Sequence, residues 1–234
     1  QAGDVIRNCC AAGCTHECLS ICCPSRFADP QDPPRICQLP IDHFSGQADH
    51  YARVRPHYPA ALFAWLASIA PATTAAWDCA CGSGQASQGL ADVFDHVVAT
   101  DLSAAQLARA VPHPRINFAV APAEASGLPD ASVDLVTVAT AAHWLDLDAF
   151  YAEARRVVRP GGIVAMWSYY GNTMAPDMDK TAARRLHAEI LGPYWSPGNA
   201  LAGRGYDGLS FPFDELAWPG FEATADWSLD DFLD

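Results

Sequence analysis

The sequence is poor in basic residues. Its 234 residues include 14 lysines and arginines against 27 aspartates and glutamates, which gives a formal net charge of -13 at pH 7. Proteins that bind the backbone of nucleic acids neutralise its phosphates with clustered lysines and arginines. The shortage of basic residues therefore argues against nucleic acid as a partner.

Long hydrophobic runs are also absent. Runs such as residues 60–65 fall far short of the roughly 20 apolar residues that a membrane helix needs. The first residues lack the basic start, apolar run and cleavage site of a secretory signal. We therefore predict no membrane span and expect a cytoplasmic protein.

Half of the residues are hydrophobic, which is enough for one sizeable core, but cysteines and acidic residues are unevenly distributed. Seven of the nine cysteines lie between Cys9 and Cys37, and residues 207–234 hold eight acidic and no basic side chains. We interpret the acidic segment as a solvated surface, with a docking surface for a basic partner as the alternative.

Residues 1–40 contain many cysteines and prolines and show no hydrophobic periodicity. Cys10, Cys14, Cys18 and Cys22 recur at every fourth position, but no C-x-x-C pair of the kind found in structural zinc sites occurs. Along a helix the first and fourth of these thiols would lie about 18 Å apart, too far to surround one ion. We predict a leader outside the core with no metal; a metal site and a disulfide cluster are the alternatives.

From residue 41 onward, strand and helix patterns alternate. Strands are predicted at residues 75–80, 96–100, 116–121, 133–140 and 163–167, with a last strand at 222–227. Helices are predicted at residues 60–69, 85–93, 103–110, 146–158 and 178–191. This alternation predicts an α/β fold with a doubly wound, mostly parallel, Rossmann-like sheet and helices on both faces. In such folds the ligand binds at the carboxyl ends of the strands.

The first predicted strand runs into a glycine-rich loop, DCACGSGQ at residues 78–85. Gly82 and Gly84 allow close approach of the backbone to a ligand, and the helix start that follows exposes N–H groups. Asp101 ends the second strand, where an acidic side chain accepts hydrogen bonds from ribose hydroxyls in both NAD and S-adenosylmethionine enzymes. The alternative is that Asp101 only interacts with the helix start beside Ser103.

With these motifs, the stretch from about residue 42 to residue 170 resembles the class I S-adenosylmethionine-dependent methyltransferases, close to the branch with methyltransferase domain type 11 and related to trans-aconitate methyltransferases. Six pieces carry the resemblance in order: DHFSGQADHYARVRPHYP, WDCACGSGQ, ATDLSAAQL, APAEASGLPDASVDLV, AAHWLD and ARRVVRPGGIVAMWSY. The resemblance implies a methyltransferase domain over residues 41–234, with residues 41–70 as a lid, S-adenosylmethionine as cofactor and a small-molecule acceptor.

The resemblance also implies the cofactor contacts. Asp78, Ala80, Gly82 and Gly84 would line the methionine moiety, Asp101 would hold the ribose, and Leu102, Ala123 and Glu124 would surround the adenine. The family usually has glycine where Ala80 stands, and we expect the additional methyl group to be tolerated.

Three further residues are candidates for catalysis. His143 follows the fourth strand and is a candidate general base, with packing as the alternative. In the lid, Tyr51 and Arg55 are expected to contact the cofactor carboxylate or an acidic substrate, and Arg55 paired with surface acids is the alternative. For Trp144 we prefer core packing over a cation–π contact with the sulfonium. If the acceptor is a carboxylate, the reaction needs no general base, and we expect His143 to position the acceptor.

Two other function classes remain open at this point: an NAD-linked oxidoreductase on a similar fold, and a nucleotide-binding or regulatory protein without catalysis. The family normally ends with an antiparallel strand beyond residues 211–232. We therefore expect a C-terminally truncated chain that lacks this strand, with residues 222–227 poorly paired. The oligomeric state and the acceptor atom are not predicted.

Overall fold

The computed structural model describes residues 57–168, 185–190, 192–194 and 197–223. The predicted leader, the lid residues Tyr51 and Arg55, and residues 224–227 of the last predicted strand lie outside the described residues. Within the described part of the chain, no helix is both long and apolar enough to cross a membrane.

Within the described residues, five parallel strands form the sheet, in the order β3-β2-β1-β4-β5. They are β1 (Ala75–Cys79), β2 (His96–Asp101), β3 (Ile116–Val120), β4 (Val133–Ala139) and β5 (Val158–Trp167). The chain moves outward from β1 to β3 and then returns to place β4 against the other side of β1. This reversal is the topological switch point where doubly wound folds bind their ligands, and it confirms the predicted fold class.

Helices cover both faces of this sheet. They are α1 (Ala60–Ile69), α2 (Gln85–Val93), α3 (Ala104–Leu107), α4 (Leu147–Val157) and α5 (Pro197–Ala202). The part of the chain that the structure describes also has three short helical segments of other types, at Ala142–Trp144, Arg185–Ile190 and Gly192–Tyr194. The helix α3 is shorter than the predicted 103–110, although Ser103 caps it as expected, since its Oγ accepts from Gln106 N at 3.3 Å.

The core has two layers because successive strand residues face opposite sides of the sheet. Ala76 packs against the layer formed by α1 and α2, which includes Leu66 and Leu90. The next residue, Trp77, packs into the other layer with Phe150 of α4. Full burial of a side chain such as Leu66 on one face or Phe150 on the other contributes about 1.5–3 kcal/mol, so both faces stabilise the sheet.

The fifth strand begins earlier than predicted. We expected Pro160, Gly161 and Gly162 to separate the helix from a strand starting at residue 163, but α4 ends at Val157 and β5 begins directly at Val158. Val133 pairs with Val158 and Leu135 pairs with Ile163, so β5 has extra residues opposite β4. The Pro-Gly-Gly run is therefore a bulge within the strand, where Gly161 adopts φ +77°.

The C-terminal part of the described chain differs from the prediction. Of the helix predicted at 178–191, the described Arg185–Ile190 is helical, with the wide π geometry. Of the strand predicted at 222–227, Glu222 and Ala223 belong to no strand. All five strands of the described sheet are parallel, which is consistent with the predicted mostly parallel sheet.

Candidate active site

Asp101 joins the two loops that follow β1 and β2. Its Oδ2 accepts from Gly82 N at 2.8 Å, and its Oδ1 accepts from Ser103 N at 2.8 Å. Cys81 N donates to Thr100 O at 3.0 Å and holds the same loop against β2. Each carboxylate oxygen has a further lone pair, so Asp101 retains the capacity to accept from hydroxyl groups of a ligand.

The two glycines of the loop have different surroundings. Both adopt positive φ, +58° at Gly82 and +84° at Gly84. A Cβ added at Gly82 would meet no atom within 4 Å, whereas one at Gly84 would lie 2.8 Å from the ring of Phe118. Gly82 therefore borders open space at the carboxyl end of β1, and Gly84 is required for packing against β3.

Ala80 adopts the left-handed conformation, with φ +53°. For residues other than glycine this conformation costs about 1–2 kcal/mol, because Cβ approaches the following carbonyl oxygen. The prediction considered only the volume of the additional methyl group. Glycine adopts the left-handed conformation without this cost, so the structure gives a second reason for the family's usual glycine at this position.

Asp78 lies beneath the loop and is fully buried. Ser87 Oγ donates to its Oδ2 at 2.5 Å and Thr137 Oγ1 donates to its Oδ1 at 2.9 Å. Burial raises the pKa of Asp78 to about 6, and these two hydrogen bonds oppose that rise. The side chain thus connects β1 with α2 and β4, and its contact with the methionine moiety stays a prediction.

The two thiols of the loop are protonated at neutral pH. Burial raises the pKa of Cys79 and of Cys81 well above the ordinary thiol value, and the neighbouring carboxylates raise both further. Such thiols are poor nucleophiles and poor metal ligands. Cys79 is the last residue of β1, and Cys81 lies in the loop that follows it.

The residues predicted near an adenine follow β2 and β3. Leu102 is 50% exposed, which is unusual for a leucine beside a buried strand end. Ala123 is buried, and Glu124 Oε1 accepts from Asp146 N at 3.3 Å. The described structure therefore places an exposed apolar side chain directly after Asp101, with Glu124 tied to the start of α4.

A buried hydrogen-bond network that the sequence analysis missed anchors the loop after β3. Ser126 donates to Glu153 Oε1 through both its N–H, at 2.8 Å, and its Oγ, at 2.6 Å. Arg156 donates to the same carboxylate and lowers the pKa of Glu153. Because Glu153 lies on α4, this network holds the loop that contains Ala123 in place.

His143 lies in the short helical turn Ala142–Trp144 that follows β4. Its Nδ1 lies 3.2 Å from Tyr206 Oη, and its ring packs 4.7 Å from that of Trp144, centre to centre. Trp144 is 41% exposed, so our preference for core packing at this position is wrong. The turn places Ala142 in the core and directs Trp144 outward.

Tyr58, within the predicted lid, reaches the same edge of the sheet and was also missed. Its hydroxyl lies 3.2 Å from Thr140 Oγ1, and its ring packs edge-on against Trp167 at the end of β5. Thr140 has φ +55°, a strained conformation of the kind found at functional sites. A threonine in the left-handed region directly after a strand leaves no simple sequence signal.

Comparison with known proteins agrees with this geometry. The model of the methyltransferase domain family matches residues 77–166. A protein of Dictyostelium discoideum named as a methyltransferase is 30% identical over 195 residues, 82% of this chain and 74% of that protein. A solved structure described as a type II methyltransferase from Anaeromyxobacter dehalogenans is 49% identical, with a TM-score of 0.71 and coverage of 76% of both chains.

A shorter match is the malonyl-[acyl-carrier protein] O-methyltransferase of Dechloromonas aromatica, 40% identical over 106 residues, which are 44% of this chain and 38% of that enzyme. The fold, the loop after β1 and these relatives define the class. The chain belongs to the class I S-adenosylmethionine-dependent methyltransferases. The matches do not favour the alternatives of an oxidoreductase or a protein without catalysis.

The described residues fit S-adenosylmethionine. A Cβ at Gly82 would enter open space, so the loop leaves room for a ligand at the switch point. Asp101 has acceptor capacity beside that space, and the exposed Leu102 presents an apolar surface suited to a flat base. Open space, a hydrogen-bond acceptor and an exposed apolar side chain are the features that a nucleoside with a charged amino acid part requires.

Proposed function

We propose that this methyltransferase transfers a methyl group to an oxygen of a small molecule, a carboxylate being the preferred acceptor. The observation that carries the proposal is the place of His143, on the turn after β4, next to β1 and its glycine loop. Support comes from the relative that is named as an O-methyltransferase of a malonyl group, which ends in a carboxylate.

In this proposal the cofactor contacts divide among three loops. The backbone at Ala80, Gly82 and Gly84 borders the methionine moiety, Asp101 accepts from the ribose hydroxyls, and Leu102, Ala123 and Glu124 surround the adenine. Asp78 acts from below by holding the loop to α2 and β4, as its bonds with Ser87 and Thr137 indicate.

S-adenosylmethionine supplies an activated methyl group on a sulfonium. The protein then has to align the acceptor and exclude water, and alignment lowers the barrier of such a displacement. A carboxylate oxygen is already anionic, so it needs no general base. His143 then orients the acceptor, while Tyr51 and Arg55 of the lid contact a carboxylate of the cofactor or the substrate.

Calorimetry and a methyl-transfer assay test the proposal together. We expect binding of S-adenosylmethionine and its demethylated product, no binding of NAD, and mass-detected methylation of members of a panel of small carboxylic acids, phenols and amines. Methylation of amines alone would contradict an oxygen acceptor.

The ribose contact is tested separately by Asp101→Asn, with Asp92→Asn on the exposed face of α2 as the matched control. Loss of charge-assisted hydrogen bonds should weaken S-adenosylmethionine affinity by about tenfold or more in Asp101→Asn. Asp92→Asn should leave it unchanged. Equal affinity of the two variants would remove Asp101 from the cofactor site.

A further inference from the structure

The hydroxyl group of Tyr206 contacts the turn that carries His143 at two points. Ala142 N donates to Tyr206 Oη at 3.2 Å, and His143 Nδ1 lies 3.2 Å from the same oxygen. Tyr206 is buried, although it lies 63 residues beyond His143 in the chain. The segment around α5 thus supplies a partner for a histidine at the edge of the sheet.

These two contacts limit where the hydroxyl proton of Tyr206 and the imidazole proton of His143 can lie. The N–H of Ala142 is a donor, so Tyr206 Oη accepts there, and the hydroxyl has one proton of its own to donate. We propose that Tyr206 donates this proton to His143 Nδ1 and thereby holds the neutral imidazole as the tautomer that is protonated at Nε2. In the reverse arrangement, with the proton on Nδ1, Tyr206 Oη would accept from both Ala142 N and His143 Nδ1.

The surrounding backbone supports a positioning role for Tyr206. The residue has φ +65°, a conformation that is strained for a tyrosine and that accumulates at functional sites. On the other side of the imidazole, a Cβ at Gly198 would lie 3.0 Å from His143 Cδ2 and 3.2 Å from its carbonyl oxygen. Gly198 of α5 and Tyr206 therefore enclose His143 from two directions.

The tautomer decides what His143 does in the reaction, given the function proposed above. An imidazole whose Nδ1 accepts from Tyr206 presents an Nε2–H group, which donates a hydrogen bond and cannot accept a proton. Such a group orients an acceptor that already has a lone pair and a negative charge. The substrate class is therefore a carboxylate or a similar oxyanion, and Tyr206 is a positioning residue for it.

The tautomer is measured on the full chain labelled with 15N-histidine, by long-range proton–nitrogen correlations of the imidazole rings. The His143 signals are identified by their loss in His143→Gln. We expect a protonated Nε2 and an unprotonated Nδ1 in the neutral ring. A protonated Nδ1 would overturn the proposal, whatever cofactor or substrate the protein uses.

Two variants separate positioning from general stability. Tyr206→Phe should change the tautomer of His143, whereas Tyr151→Phe, which removes a hydroxyl bonded to Ser210 O, should not. With an acid of the panel as substrate, Tyr206→Phe should raise KM about fivefold through the loss of the hydrogen bond to His143, with S-adenosylmethionine affinity unchanged. Equal effects of both variants would leave Tyr206 a merely structural role, and methylation of neutral acceptors but no acid would refute the carboxylate class.

Discussion

Replacing Asp78 by asparagine should change how the stability of the fold depends on pH. The carboxyl group is fully buried, and burial raises its pKa to about 6, against 3.8 for an ordinary aspartate. At about 1.4 kcal/mol for each pKa unit, this difference corresponds to about 3 kcal/mol in the free energy of unfolding.

The sign follows from the two protonation equilibria. In the unfolded chain Asp78 ionises near pH 4, and in the folded chain it ionises only near pH 6. The contribution to stability is fully present below about pH 4 and is lost as pH rises through about 6, because the folded state then buries a carboxylate. Asparagine is neutral throughout, so the unfolding free energy of Asp78→Asn minus that of the wild type should increase by about 3 kcal/mol over this interval.

Urea unfolding of both proteins at steps between about pH 4 and about pH 7 measures this difference. A constant offset between the two curves reflects altered hydrogen bonds with Ser87 and Thr137 and does not bear on the reasoning. Ser87→Ala removes a donor that lowers the pKa of Asp78, so it should move the pH at which stability is lost upward. Parallel curves for wild type and Asp78→Asn would refute the assignment.

Two further substitutions test the backbone and the core. Ala80→Gly should stabilise the fold by about 1 kcal/mol, a rise of about 2–4 °C in Tm, because it relieves a left-handed alanine. Ala131, which lies before the amino end of β4, has φ +48°. Ala131→Gly should therefore give a similar gain in stability without altering cofactor affinity. A loss of stability in both variants would contradict the argument that these two alanines are strained. Asp134→Ala should cost about 3 kcal/mol or more in urea unfolding, because Asp134 is buried and pairs with Arg159 and two backbone N–H groups; an unchanged midpoint would contradict this.

Strands and helices with a clear hydrophobic period were predictable from the sequence. The strand predicted at 133–140 is β4, and the helix predicted at 85–93 is α2 to the residue. The bulge at Pro160 was not predictable, because proline and glycine usually end elements and only pairing with β4 retains them in a strand. The leader at 1–40, the lid contacts of Tyr51 and Arg55 and the cytoplasmic location stay predictions.

The candidate site was predictable where the residues adjoin a strand end. Gly82 and Asp101 were predicted in this way, and the structure brings them into direct contact, N to Oδ2, at 2.8 Å. The buried position of Asp78 was not found, because the motif contains no information about which hydroxyl groups enclose it. Ser126 and Glu153 were missed for the same reason, since their bond joins a loop to a helix 27 residues away.

The sequence alone determined the class of fold, the carboxyl ends of the strands as the place of the site, and the family, because periodicity and the order of short motifs are written along the chain. Tertiary structure alone decided which distant groups meet. Thr137 reaches Asp78 because β4 lies beside β1, and Tyr206 reaches His143 because α5 packs on the turn after β4. Such contacts depend on how the layers pack, and hydrogen bonds between residues about 60 positions apart leave no local pattern.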